Sequence, residues 1–210
     1  MPMARTRTPE RIIDAALALF NEFGEPNVTT NRIADELEIS PGNLHYHFRT
    51  KRDLIATLFG RFEQRMLGLL RADIGDDAGI EDAWLFLHLV FEVIAEYRFI
   101  YRDLTELCSR DRGLAQRVRA ILKLSLGTAD GLLRALQTSG QFEASADARE
   151  ALVRSIVLVS SYWISFDQVL EPDCEPRPDR AAWQVMSLVS PFLLGEARIQ
   201  FDAIATAYRS

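Results

Sequence analysis

Ile39-Ser40-Pro41-Gly42-Asn43-Leu44-His45-Tyr46-His47-Phe48-Arg49-Thr50-Lys51-Arg52-Asp53-Leu54 contains two helix starts in quick succession. Ser40 is a good N-cap, and Pro41 suits the first helical position, where a missing N–H costs nothing. Thr50 followed by Asp53 has capping-box spacing, so the first helix has room for only about two turns. On that helix Leu44 and Phe48 are four apart and share an inward face. Asn43, Tyr46 and His47 point elsewhere, and Gly42 leaves room for a close approach.

A short helix that displays amide, phenol and imidazole groups, followed by a basic helix start, suits a nucleic-acid groove. Just before it, Thr29-Thr30-Asn31-Arg32-Ile33-Ala34-Asp35-Glu36-Leu37 reads as another capped helix, with Ile33, Ala34 and Leu37 inward. Two short helices joined by Glu38-Ile39-Ser40 make a helix-turn-helix, whose second member lies in the DNA major groove.

Ala15-Ala16-Leu17-Ala18-Leu19-Phe20, Gly24, Thr29-Thr30, Ile33-Ala34 and Ser40 to Phe48, with Lys51 and Leu54, resemble the DNA-binding domain of TetR-family transcriptional regulators. The resemblance covers the first quarter of the chain; beyond it, only size and an all-helical pattern agree. It implies that Thr30, Tyr46 and Lys51 bind backbone phosphates, while Gly42, Asn43 and His47 face the major groove. Phosphate contacts set register and base contacts set specificity, so Asn43 with His45 or His47 are the candidate readers. Thr29, Arg32 and Ser40 complete the expected DNA-binding set. Two positions depart from the family pattern: His45 stands where tyrosine is common, and Glu38 where glycine is common. A left-handed backbone at Glu38 would cost roughly 1 kcal/mol.

The formal net charge of −6 excludes a generic polyanion binder, so a DNA site has to come from local placement of charge. A hydrophobic share of 48% with 26% charged residues fits a globular chain rather than a disordered one. Cys108 and Cys174 lack metal-ligand spacing and read as reduced thiols of a cytoplasmic protein. No stretch approaches ~18 uninterrupted apolar residues, so no membrane span is expected. No metal site, cofactor or catalytic nucleophile has a recognisable context, and the chain reads as a non-enzyme. A metal site at His45 and His47 would need two residues that point apart on one helix.

Residues 1–7 form a basic arm. A first helix from Thr8-Pro9 repeats Ile12, Ile13, Ala16, Leu19, Phe20 and Phe23 at helical spacing and stops at Gly24. The expected head core is Ile12, Ala16, Phe20, Ile33, Leu37, Leu44 and Phe48. A long helix from Lys51 to about Arg71 is followed by the loop Asp73 to Gly79. Further helices are expected over 81–96, 99–109, 111–139, 147–170 and 179–208, the last kinked at Pro191. Gly127 and Gly131, four apart, predict close helix packing or a bend. The fold class is therefore all-α: a three-helix helix-turn-helix domain over 1–53 and a larger helical effector-binding and dimerisation domain over 54–210, about nine helices in all.

Polar groups among apolar ones make His88, Glu92, Tyr101, Asp103, Trp163 and Asp167 the candidate effector contacts, because a small-molecule site is mostly apolar with a few convergent polar groups. The resemblance implies such a pocket in this region. The helix over 147–170 is apolar nearly all round, so it is expected inside a core or against a second subunit. Val153, Ile156, Trp163, Met186, Leu188 and Phe192 are the candidate dimer contacts. The expected protein is a ligand-responsive regulator, a repressor rather than an activator, that binds a pseudo-palindromic double-stranded DNA operator as a homodimer. Its partners are the operator, an unidentified small-molecule effector and a second copy, with no membrane. The alternatives are a relative without a small-molecule effector, and a helical enzyme or carrier that kept the fold.

Overall fold

The computed structural model describes residues 8–72, 79–172 and 174–209. The basic arm and nearly all of the loop 73–79 lie outside them. Eleven α-helices run through the described residues: α1 (Thr8–Phe23), α2 (Thr30–Glu36), α3 (Pro41–His47), α4 (Lys51–Leu70), α5 (Ile80–Glu96), α6 (Arg98–Arg102), α7 (Leu104–Arg110), α8 (Arg112–Thr138), α9 (Ala146–Leu170), α10 (Pro178–Val189) and α11 (Gly195–Arg209). Short 3-10 turns occupy Glu25–Asn27 and Ser190–Phe192.

The two helices beyond the expected nine come from two splits. The segment expected as one helix over 99–109 breaks at Asp103, whose carboxylate is engaged elsewhere. The segment expected as one kinked helix over 179–208 is cut at Pro191, within the 3-10 turn, because proline lacks the N–H that the helical ladder needs.

The chain divides into two compact units, residues 1–64 with 97–115, and residues 65–96 with 116–210. The head's compact unit thus includes α6 and α7, which the sequence reading placed with the second domain. Its core holds Ile12, Ala16, Phe20, Ile33 and Leu44, all fully buried, with Leu37 and Phe48 half-buried at the margin. Aromatic rings extend this core: Phe20 meets Phe99 at 5.4 Å, and Phe62 packs against Phe59, Tyr97 and Tyr101 at 5.6–5.9 Å. Edge and tilted contacts of this kind favour the quadrupoles of the rings.

In the second unit α10 packs on α5 and α9, and α11 on α5. Phe91 of α5 meets Trp163 of α9 edge-on at 5.7 Å, and Trp183 stacks on Phe201 at 5.3 Å. Gly140, at φ 73, ends α8 in the left-handed conformation that glycine adopts without a Cβ clash. The chain beyond it pairs with the 3-10 turn through the bridge between Phe142 and Leu193. Gly127 and Gly131 do not provide the close packing expected of them: both are exposed, and a Cβ at either would meet nothing within 4 Å.

Candidate nucleic-acid interface

Three caps set the angles of the head helices. The Thr29 hydroxyl accepts from the Arg32 N–H at 3.2 Å, and the Ser40 hydroxyl accepts from the Asn43 N–H at 3.2 Å. Thr50 and Asp53 form a reciprocal pair: the Thr50 N–H donates to Asp53 Oδ2 at 2.9 Å, and the Asp53 N–H donates to Thr50 Oγ1 at 3.2 Å. These caps satisfy donors that the first turns leave without helical partners. Glu38 at the turn has φ 54, so the glycine-like backbone is kept with a glutamate in place.

Fixed in this way, α3 turns Leu44 inward and its polar side chains outward. Gly42, Asn43 and His45 are exposed, Tyr46 is 84% exposed, and His47 is half-buried with its ring edge-on to Tyr46 at 5.0 Å. His45 Nδ1 lies 3.2 Å from the Arg49 carbonyl, a hydrogen bond for the tautomer that carries its proton on Nδ1. Thr29, Arg32 and Ser40 are exposed and Thr30 half-buried. The Arg32 guanidinium lies over the Phe23 ring at 3.7 Å, which orients the charge at the start of α2. Lys51 stands apart from this set. Its side chain is 25% exposed, and its ammonium donates to Glu25 Oε1 at 2.8 Å and to the Glu25 carbonyl.

An exposed amide and imidazole on a capped two-turn helix, set behind a second capped helix, is the layout of a helix-turn-helix reading face. Residues 12–58 match the family model described as bacterial regulatory proteins, tetR family, and residues 61–201 match the model TetR, described as a bacterial transcriptional repressor. The chain belongs to the TetR family. It is a DNA-binding transcriptional regulator of that non-enzymatic family.

The chain is 27% identical over 167 residues to the fatty acid metabolism regulator protein of Bacillus subtilis (strain 168), covering 75% of this chain and 84% of that protein. It is 32% identical to a TetR-family transcriptional regulator from Marinobacter aquaeolei VT8, whose crystal structure matches at TM-score 0.86 over 98% of this chain and 100% of that one. The complex of SmeT, a Stenotrophomonas maltophilia repressor, with triclosan matches at TM-score 0.59 and 21% identity, covering 90% of this chain and 93% of that chain, a likeness of fold.

A group of residues that sequence reasoning missed fastens the TetR head from below. Glu25 is only 2% exposed, and its carboxylate pairs with Lys51 of α4 and with Arg110 of α7 at 2.5 Å. Its backbone N–H donates to Asp103 Oδ2 at 3.1 Å. Arg102 donates to the Phe20 and Asn21 carbonyls at the end of α1. Asn21 Oδ1 in turn accepts from the Phe99 N–H. Burial pushes the Asp103 carboxyl above the usual aspartate range, against the opposing pull of the Glu25 N–H and Arg102. Partners 26 residues apart for Lys51 and 78–85 apart for the rest leave no local spacing signal, although a glutamate stands beside the helix-stopping Gly24.

The effector candidates separate. Tyr101 and Asp103 belong to the head's unit, where burial raises the Tyr101 phenol and Asp103 holds the Glu25 turn. Both side chains take part in the packing of the head's unit. His88, Glu92, Trp163 and Asp167 belong to the second unit. His88 Nε2 lies 3.6 Å from Glu92 Oε1, while His88 Nδ1 and Trp163 Nε1 are buried without a hydrogen-bond partner among the described residues. Partial burial raises the Asp167 carboxyl, with Arg180 opposing and Glu171 reinforcing the shift.

The dimer candidates differ in exposure within the single chain. Val153, Ile156, Trp163 and Met186 are buried in the unit's own core, and Leu188 and Phe192 are half-buried. Within the single chain the apolar circumference of α9 is two stripes. One faces the core, and the other, Leu158, Tyr162, Phe166 and Val169, is 46–86% exposed. Among the described residues no helix is long and apolar enough to cross a membrane.

Proposed function

We propose that this TetR-family regulator is a ligand-responsive repressor that binds a pseudo-palindromic operator as a homodimer. The observation that carries the DNA reading is the outward face of α3: Asn43, His45 and Tyr46 exposed on a helix held by the Ser40 cap and the buried Leu44. Asn43 can pair bidentately with adenine, His45 and His47 flank it, and Thr29, Thr30, Arg32, Ser40, Tyr46 and Lys51 set the register on phosphates. The outward stripe of α9 is the candidate pairing face, and a homodimer has two heads for two inverted half-sites about one helical turn or modestly more apart.

The ligand response draws support from the second unit, where His88 Nδ1 and Trp163 Nε1 are buried polar atoms without hydrogen-bond partners among the described residues. Such atoms are costly unless something pairs with them, and an apolar molecule that carries a hydrogen-bond acceptor would satisfy the indole N–H. That SmeT forms a complex with triclosan fits this class of ligand. A ligand acts by its differential affinity for two conformations of the dimer.

Selection of bound sequences from a random duplex pool tests the DNA reading. The wild type should return an inverted repeat. Asn43→Ala should lose preference at one base position in each half, at a cost of ~1–3 kcal/mol. A pool without a consensus would count against an operator-binding repressor.

A further inference from the structure

We propose that Arg110, through the buried carboxylate of Glu25, is a positioning residue that sets whether Lys51 is free to contact a DNA phosphate. The inference rests on the reading of Lys51 as a phosphate contact and goes beyond it. Glu25 is 2% exposed, and a carboxylate at that depth has to be paired. Its two partners come from different helices: Lys51 opens α4 and reaches Oε1 at 2.8 Å, and Arg110 closes α7 and reaches Oε2 at 2.5 Å. The nearby Asp103 carboxylate accepts from the Glu25 N–H and lies 3.8 Å from Arg102.

Lys51 faces a choice between two anions. Its ammonium sits at the N-terminal end of α4, where the helix dipole disfavours a cation and a nearby negative charge offsets the penalty. Glu25 supplies that charge in the free head; a phosphate can supply it on DNA. Moving Lys51 to the phosphate leaves Glu25 with Arg110 alone. With Arg110 in place the buried carboxylate stays compensated. Without it, release of Lys51 would leave Glu25 buried and unpaired, the costly case for an ion pair. Arg110 is 47% exposed and also lies 3.5 Å from Glu106, so its hold on Glu25 can change without disturbing the core. By the reciprocity of linkage, DNA that draws Lys51 away tightens Glu25 on Arg110, and a shift of α7 that frees Glu25 from Arg110 withdraws Lys51 from DNA.

The test uses the full-length protein and a random-sequence duplex, because phosphate contacts do not depend on sequence. Affinity is measured across a salt series for the wild type and for Arg110→Ala, Arg110→Lys and Lys51→Ala. Lys51→Ala should lower the magnitude of the log K against log salt slope by ~1. Arg110→Ala should weaken binding roughly tenfold and lower the slope by a similar step, an effect within ordinary coupling. Arg110→Lys should restore both. Adding Glu25→Gln to Arg110→Ala should also return the slope, because a neutral amide no longer retains Lys51. If Lys51→Ala leaves the slope unchanged, the phosphate reading fails and the proposal with it. A changed slope for Lys51→Ala beside an unchanged one for Arg110→Ala would overturn the positioning role alone. Thermal melts of Arg110→Ala at each salt show whether the weakening is loss of fold; a slope that follows unfolding rather than binding also overturns the proposal.

Discussion

The side-chain oxygen of Asn21, in the last turn of α1, accepts a hydrogen bond at 3.1 Å from the backbone N–H of Phe99, in the first turn of α6. One amide therefore joins the end of the first head helix to a free donor at the start of a helix 78 residues later. Both residues are buried, so water cannot replace either partner. Asn21→Ala should lower stability by ~1–3 kcal/mol, the cost of an unsatisfied buried donor. Urea unfolding would show it as a lower midpoint; an unshifted midpoint would mean the Phe99 N–H finds another acceptor.

Glu38→Gly should make the protein more stable. The backbone there has φ 54, which a side chain bearing Cβ adopts at a cost. Relief of that strain is offset in part by the greater freedom of glycine in the unfolded chain, so the expected gain is at most about 1 kcal/mol. A denaturant midpoint that falls instead would show that the Glu38 side chain contributes more than its backbone strain costs.

Asp111 ties acid stability to a single cap. Its Oδ1 accepts from the Gly113 and Leu114 N–H groups, and its Oδ2 accepts from Arg52 Nε at 2.8 Å. The Leu114 hydrogen bond, followed by that from Arg52, holds the carboxyl below the usual aspartate range. A carboxyl lowered in the folded state stabilises the fold above its unfolded pKa, ~3.9, and loses that contribution as pH falls through the folded value. Asp111→Ala should therefore cost ~1 kcal/mol at neutral pH and progressively less below about pH 4. Melting temperatures of the two proteins against pH should converge in acid; a constant gap would point to lost packing instead.

The second copy should be lost when the outward stripe of α9 is charged. Phe166→Asp or Val169→Asp changes a side chain that is 66% or 86% exposed, so the subunit should stay folded. A stable homodimer interface commonly buries on the order of 2,000 Å² or more, so one carboxylate in its apolar centre should split it. Light scattering at low micromolar concentration should give a dimer for the wild type and a monomer for the variants. A wild-type monomer would end the dimer reading, as would variants that pair as well as the wild type.

The parts of this molecule legible in sequence are those governed by neighbours in the chain. The Thr29, Ser40 and Thr50–Asp53 caps and the inward Leu44 follow from spacings of three or four residues, while the left-handed backbone at Glu38 follows from the family resemblance, at a position where glycine is common. The split at Asp103 was not legible, because it depends on a turn 78 residues earlier. Nor was the inner stripe of α9 separable from the outer one, since hydrophobic periodicity cannot rank two apolar faces of one helix. For the same reason periodicity alone cannot prefer Phe166 over Val153 and Ile156 as an interface candidate. The resemblance makes Lys51 a candidate phosphate contact, while no local spacing marks the Glu25 carboxylate that holds it.

The head's compact unit is discontinuous, residues 1–64 joined by 97–115, and this orders the events of its synthesis. When α1 to α3 have left the ribosome, Glu25 has no Arg110, and Phe20 has no Phe99 to cover it. At ~5–20 residues per second, α7 follows the first part of the head only after several seconds. During that interval the reading helix can form, since its caps and Leu44 are local, yet the floor beneath it is open. The head's unit can close only once α6 and α7 supply Phe99 and Arg110, through contacts of high sequence separation, the slow kind in folding.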